Sequence, residues 1–116
     1  MEPTTAERIA RTNDTFRTAN DRIEEVAVVQ ARPADEPLPF VCECADPSCT
    51  QVIRVTLAAY GRIRSDPRRF LSAPGHETQD DDFIHVVEER DGYVVTEKTG
   101  RAGELVEELA AEGEPA

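Results

Sequence analysis

An α+β fold is the expectation from this sequence, and three observations carry it. Residues 6–30 run without Gly or Pro for long enough to make a helix, two pairs of β-rich runs each straddle a turn signal, and a second amphipathic stretch closes the chain. The elements in order are a long N-terminal helix, two small β-hairpins with short helices between them, and a C-terminal helix.

Thr4 with Glu7 three positions later has the form of a capping box, which offers acceptors to the unpaired amides of a helix start. In the helix that follows, Ile9, Phe16 and Ile23 recur every seven residues, with Ala19 and Val26 filling intervening steps. Such a stripe either packs on the helix's own domain or pairs two copies as a coiled coil. Fewer than four heptads favours the first and leaves a homodimer through this helix as the alternative.

Arg32 to Pro39 (RPADEPLP) carries three prolines and two acids, cannot continue the helix, and reads as an extended linker. The expected organisation is therefore a helix over 1–31, a linker over 32–39, an α+β domain over 40–112 and a disordered tail at 113–116. Phe40 to Cys44 and Gln51 to Thr56 are short β-rich runs that the Asp46-Pro47-Ser48 turn folds into a hairpin, with the cysteines at its tip. Thr56 is placed to cap a short helix over Leu57 to Arg64, and Asp66-Pro67 to start a second helical turn carrying Phe70 and Leu71 inward. Ala73-Pro74-Gly75-His76 breaks that element, and residues 79–82 read as a solvated acidic loop. Phe83 to Arg90 and Tyr93 to Lys98 flank Asp91-Gly92, a strong hairpin signal. Arg101 to Glu112, with Leu105, Val106 and Leu109, reads as an acidic terminal helix.

The totals narrow the function classes. Only 39% of residues are hydrophobic, with four Phe, two Tyr and no Trp, so the core is thin in the way that a metal or a partner commonly supplements. A net charge of -11 argues against general binding to nucleic acids or anionic membranes, where neutralising phosphate drives affinity. No apolar run approaches 18 residues and the start, MEPTTAERIARTND, is polar, so a cytoplasmic location is expected. Arg supplies all the basic residues but Lys98, a bias suggesting a GC-rich bacterial genome.

Three cysteines lie within eight residues, and an odd number cannot pair within one chain. Cys42 and Cys44, two apart in a strand, present both thiols to one face while Glu43 points away. The turn returns Cys49 to the same tip, and thiolates at about 2.3 Å from a tetrahedral zinc ion fit such a knuckle. The fourth ligand must come from elsewhere. His76, in a Pro-Gly turn, suits it better than His85, which lies mid-strand between Phe83 and Val87. Thiolates with imidazole select zinc over oxygen-seeking calcium or magnesium. A [2Fe-2S] cluster, as in mitoNEET-like proteins, is the rival cofactor, although their Cys-Asp-Gly-Ser-His signature is absent.

The segments PFVCECADPSC, DPRRFLSAPGH and ERDGYVVTEKTG together resemble an uncharacterised family of small bacterial proteins, common in actinobacteria, with a Cys-rich knuckle. The resemblance spans roughly residues 13–110 and implies that Cys42, Cys44, Cys49 and His76 belong to the family pattern. It implies no activity. After Thr56 this chain reads LAAYGRIRS where the family is richer in Glu.

Between Thr50 and His76, five arginines (Arg54, Arg62, Arg64, Arg68 and Arg69) face one acid, Asp66, giving that stretch a net +4. Pairing with the protein's own acids is the expected use of them. The alternative is a nucleic-acid docking face built on Arg62, Arg64, Arg68 and Arg69. Ser48 or Cys49 near a His could be imagined as a nucleophile, yet no oxyanion-stabilising glycine loop accompanies them, so no enzyme is expected. The resulting expectation is a zinc-stabilised module that acts through a protein partner or in regulation, with a thiol redox sensor as a further alternative.

Overall fold

The computed structural model describes residues 4–76 and 83–113. The acidic loop expected at 79–82 and the last three residues of the expected tail lie outside the described residues.

Helix α1 spans Thr5–Val29. Its cap is the expected one, the Thr4 hydroxyl accepting the Glu7 amide at 3.2 Å. The helix stops in a Schellman motif, in which the Arg32 amide reaches the Ala27 carbonyl and the Ala31 amide reaches that of Val28, both at 3.0 Å. Ala31 occupies the left-handed position usually given to Gly, with φ 54°.

Of the apolar stripe read from the sequence only Ile9 is on the buried face. Val26 is 54% exposed, Ala19 is exposed, and Phe16 and Ile23 are only half-buried. The residues facing inward are Ala6, Ile9, Ala10, Asn13, Arg17, Asn20 and Ala27. Three of these are polar and fully buried, because the surfaces they meet offer backbone carbonyls and a carboxylate rather than apolar side chains.

Strand β1 (Pro37–Val41) and strand β2 (Val52–Thr56) form a two-stranded antiparallel sheet. The last three residues of the segment read as linker are thus strand. The Cys42 amide bonds to the Gln51 carbonyl of the partner side, whereas the Val41 amide turns the other way, to Asn20 Oδ1. By alternation Pro37 and Pro39 direct their missing N–H groups away from β2, so the ladder loses nothing and the edge is blunted. Leu38 and Phe40 point inward.

Thr56 caps helix α2 (Leu57–Arg64) by accepting the Ala59 amide at 3.1 Å, as expected. The Tyr60 ring stacks on Phe40 with centroids 4.3 Å apart.

The helical turn expected after Asp66-Pro67 is instead strand β3 (Arg69–Ser72). Asp66 Oδ1 accepts the Arg68 amide in a tight side-chain turn that sends the chain out extended, and β5 provides a ladder for it. Phe70 and Leu71 are both fully buried even though neighbours in a strand face opposite ways. The sheet is covered on both sides: Leu71 packs with Phe40 and Tyr60, Phe70 with Ala10 of α1 and Val106.

Strands β4 (Ile84–Arg90) and β5 (Tyr93–Lys98) form the expected hairpin, with Gly92 at φ 89° in its turn. The three-stranded antiparallel sheet has the order β3-β5-β4, and a bulge between Val86 and Glu88 leaves Val86 and Val87 exposed. Helix α3 (Gly100–Gly113) then packs along α1. Gly103 lets the start of α3 lie close against the end of β5, since a Cβ there would sit 2.6 Å from the Lys98 carbonyl oxygen. Among the described residues no helix is long and apolar enough to cross a membrane.

Candidate metal centre

The knuckle begins where β1 runs out. The Asp46 side chain accepts the Ser48 amide at 2.9 Å and the Ser48 hydroxyl at 2.7 Å, and its carbonyl accepts the Cys49 amide at 3.1 Å. These bonds fold residues 46–49 into the tight turn that Asp-Pro-Ser announces. They also hold the exposed Asp46 carboxyl below its ordinary range.

His76 is delivered by a second turn. Its amide bonds to the Ala73 carbonyl at 2.9 Å, with Pro74 at the second position and Gly75 at φ 83° in the third, the arrangement of a type II turn.

The two turns bring Cys42, Cys44, Cys49 and His76 together, their ligand atoms all within 4.8 Å of one another. His76 Nδ1 lies 3.4 Å from Cys49 Sγ and 3.9 Å from Cys42 Sγ. A tetrahedral zinc ion with sulfur at about 2.3 Å and nitrogen at about 2.05 Å would place sulfur and nitrogen about 3.6 Å apart and two sulfurs about 3.8 Å apart. The four groups therefore fit one ion. No disulfide competes, as all three cysteines are free thiols. His85 lies apart, exposed on β4 opposite Glu97.

Burial is graded across the cluster: Cys42 and Cys44 are buried, Cys49 half-buried and His76 exposed. Without a metal, burial pushes the Cys42 thiol up to about 12, opposed by the Ala73 amide that donates to its sulfur at 3.2 Å. Burial raises the Cys44 thiol as well.

Glu43, just beyond the end of β1, points away from the thiols as expected, but into the core rather than to solvent. Its Oε2 accepts Tyr60 Oη at 2.6 Å and Asn20 Nδ2 at 2.8 Å, and Oε1 accepts the Leu71 amide at 2.8 Å. Its own amide donates to the Leu71 carbonyl at 2.7 Å, and its carbonyl accepts Asn13 Nδ2 at 2.7 Å. The residue between two candidate ligands is thus the hub that ties β1, α1, α2 and β3. Burial raises its carboxyl against the pull of those donors. Lys98, also buried, bonds to Thr96 Oγ1 at 3.0 Å and lies 5.2 Å from the Phe70 centroid. Arg17 stands over the same ring at 4.7 Å and donates to the Pro67 and Val106 carbonyls.

Sequence reading missed this buried set. Its one visible signal is polar residues at helix-core spacing, Asn13 and Asn20 seven apart and in step with Ala6 and Ala27.

The arginines are largely spent on the protein's own acids. Arg64 pairs with Asp21 at 2.7 Å, Arg68 with Glu107 at 2.6 Å, and Arg69 with Glu97 at 3.4 Å and Asp66 at 3.6 Å. Arg54 and Arg62 are exposed.

No protein-family model matches the chain, and neither does any curated protein or solved structure. The family suggested by the motifs is therefore not shown, and the site stands on its geometry.

Proposed function

We propose that this protein is a small module whose fold is held by one structural zinc ion and which acts through contacts with a protein partner. The observation that carries the metal is the convergence of Cys42, Cys44, Cys49 and His76 within 4.8 Å. Four protein ligands fill a tetrahedral shell and leave no position for substrate, which supports a structural rather than catalytic ion. Three thiolates with one imidazole favour zinc, and ligands close enough for one ion suit it better than a [2Fe-2S] cluster, whose ligands are divided between two irons. The ion pairs made by Arg64, Arg68 and Arg69 weigh against a nucleic-acid face.

Elemental analysis of gently purified protein tests the reading, with one zinc per chain expected. Cys44→Ser should abolish tight binding and loosen the knuckle. His76→Ala should weaken retention against a chromophoric chelator while His85→Ala leaves it unchanged. Iron, no metal, or zinc lost on His85→Ala instead would refute it.

A further inference from the structure

The middle of the face that α1 buries, between Ala10 and Ala27, is polar rather than apolar. Asn13, Arg17 and Asn20 are at most 1% exposed. Burying such groups is costly unless their hydrogen bonds are met, and an apolar seam of the same shape would pack at least as well. Apolar contacts are also non-directional and tolerate shifts in the surface they meet, whereas hydrogen bonds weaken steeply as geometry degrades.

Arg17 holds the Pro67 and Val106 carbonyls, whereas the two asparagines grip the end of β1 and the start of the knuckle. Asn20 brackets Val41, its Nδ2 donating to the carbonyl at 2.8 Å and its Oδ1 accepting the amide at 2.8 Å. The same Nδ2 lies 2.8 Å from Glu43 Oε2, and Asn13 Nδ2 holds the Glu43 carbonyl at 2.7 Å. Asn13 Oδ1 is buried without a hydrogen-bond partner, a cost incurred to place that one donor. Beyond the Cys42–Gln51 bond, residues 43–50 lie outside the β1–β2 ladder, and Glu43 stands between Cys42 and Cys44. Leu71 and Tyr60 already hold Glu43, and an ion that fixes both neighbouring sulfurs restrains it further, and with it the acceptors that Asn13 and Asn20 use.

We infer that the hold of the middle of α1 on the knuckle is tightened by the metal: Asn13 and Asn20 form a latch that closes on the loaded knuckle and loosens when the metal leaves. The inference rests on the metal reading above and assigns regulation to that same site. Asn20 acts as a positioning residue for the site although it touches no metal. Thermodynamic linkage makes the coupling reciprocal, so whatever factor the ion adds to latch closure, the latch adds to metal affinity. Opening it would uncover Phe70 and Val106, which Ala10 of α1 covers.

The test uses the full chain and zinc alone. Residue-resolved hydrogen exchange is compared in zinc-loaded and chelator-stripped protein, and zinc affinity is measured for the parent, Asn20→Leu and Gly103→Ala. The last is a destabilised control whose changed atom meets Lys98 and Arg68 rather than α1 or the knuckle. Zinc should raise protection of α1 amides at least tenfold more than that of the β4–β5 hairpin. Asn20→Leu should lower zinc affinity about tenfold, and Gly103→Ala less than threefold, a difference that loss of stability alone would not produce. Equal protection gains in α1 and the hairpin would overturn the latch while leaving the metal reading intact, even should Asn20→Leu fail to fold. Unchanged affinity in a folded Asn20→Leu would do the same. A parent chain that binds no zinc would overturn both.

Discussion

Metal binding by this cluster should be strongly linked to protons. In the metal-free protein burial places Cys42 at about 12 and moves Cys44 in the same direction, so both are thiols at neutral pH. Only thiolates ligate zinc, and each must release its proton on binding. At least two protons should therefore leave per zinc between pH 6 and pH 8, making apparent affinity rise about a hundredfold per pH unit. Titration calorimetry in buffers of different ionisation enthalpy counts the protons directly, and chelator competition at three pH values gives the slope independently. Cys42→Ser should remove about one proton from the count. Release of fewer than one proton by the parent would refute the reasoning, because the buried thiols would then be either absent from the ligand set or ionised beforehand.

Other consequences follow from packing and buried charge. Gly103→Ala should destabilise by about 1–3 kcal/mol, because its Cβ would meet the Lys98 carbonyl at 2.6 Å, a backbone atom that cannot swing aside. Gly61→Ala, whose nearest neighbour is Glu24 Oε2 at 3.8 Å, should stabilise by about 0.5–1 kcal/mol through helix propensity; denaturant titration of both checks the contrast. Lys98 is lowered by burial from its ordinary 10.5 to about 8, partly offset by the charge of Glu43. Between those values the unfolded chain binds more protons than the folded one, so stability should rise with pH across that window, and Lys98→Met should remove that rise in pH-dependent melts. Ala31→Gly relieves a left-handed Ala at the end of α1 and should raise stability by up to about 1 kcal/mol after the entropy Gly adds to the unfolded chain, as read from the melting temperature.

Local chemistry made much of the structure legible. Thr4 and Thr56 announce helix starts because a hydroxyl accepting a third-position amide is a contact within one turn of chain. Asp91-Gly92 fixes the β4–β5 hairpin through the positive φ that Gly allows, and Gly100 ends it. The gathering of Cys42, Cys44, Cys49 and His76 was equally readable. Cys42 and Cys44 lie just past the end of β1 rather than within the expected strand, yet their two-residue spacing still puts them together, the Asp-Pro-Ser turn returns Cys49, and the Pro-Gly turn brings up His76.

Three features were decided only by tertiary structure, each because a residue's fate depended on a distant partner. Residues 69–72 became strand because β5 had an unpaired edge to offer, and four residues carry too little propensity of their own to resist it. Pro37 and Pro39 entered a strand because its outer edge asks no amide of them, a fact that depends on which side β2 lies. The middle of the buried face of α1 is Asn13, Arg17 and Asn20 rather than Phe16 and Val26, since apolar periodicity reports where hydrophobic residues are, not where acceptors wait. Those acceptors, the carbonyls of Val41, Glu43, Pro67 and Val106 and the Glu43 carboxylate, belong to segments 21 to 89 residues away. A hydrogen bond over such a separation exists only once the chain has closed, so the sequence could specify the metal knuckle but not the helix that grips it.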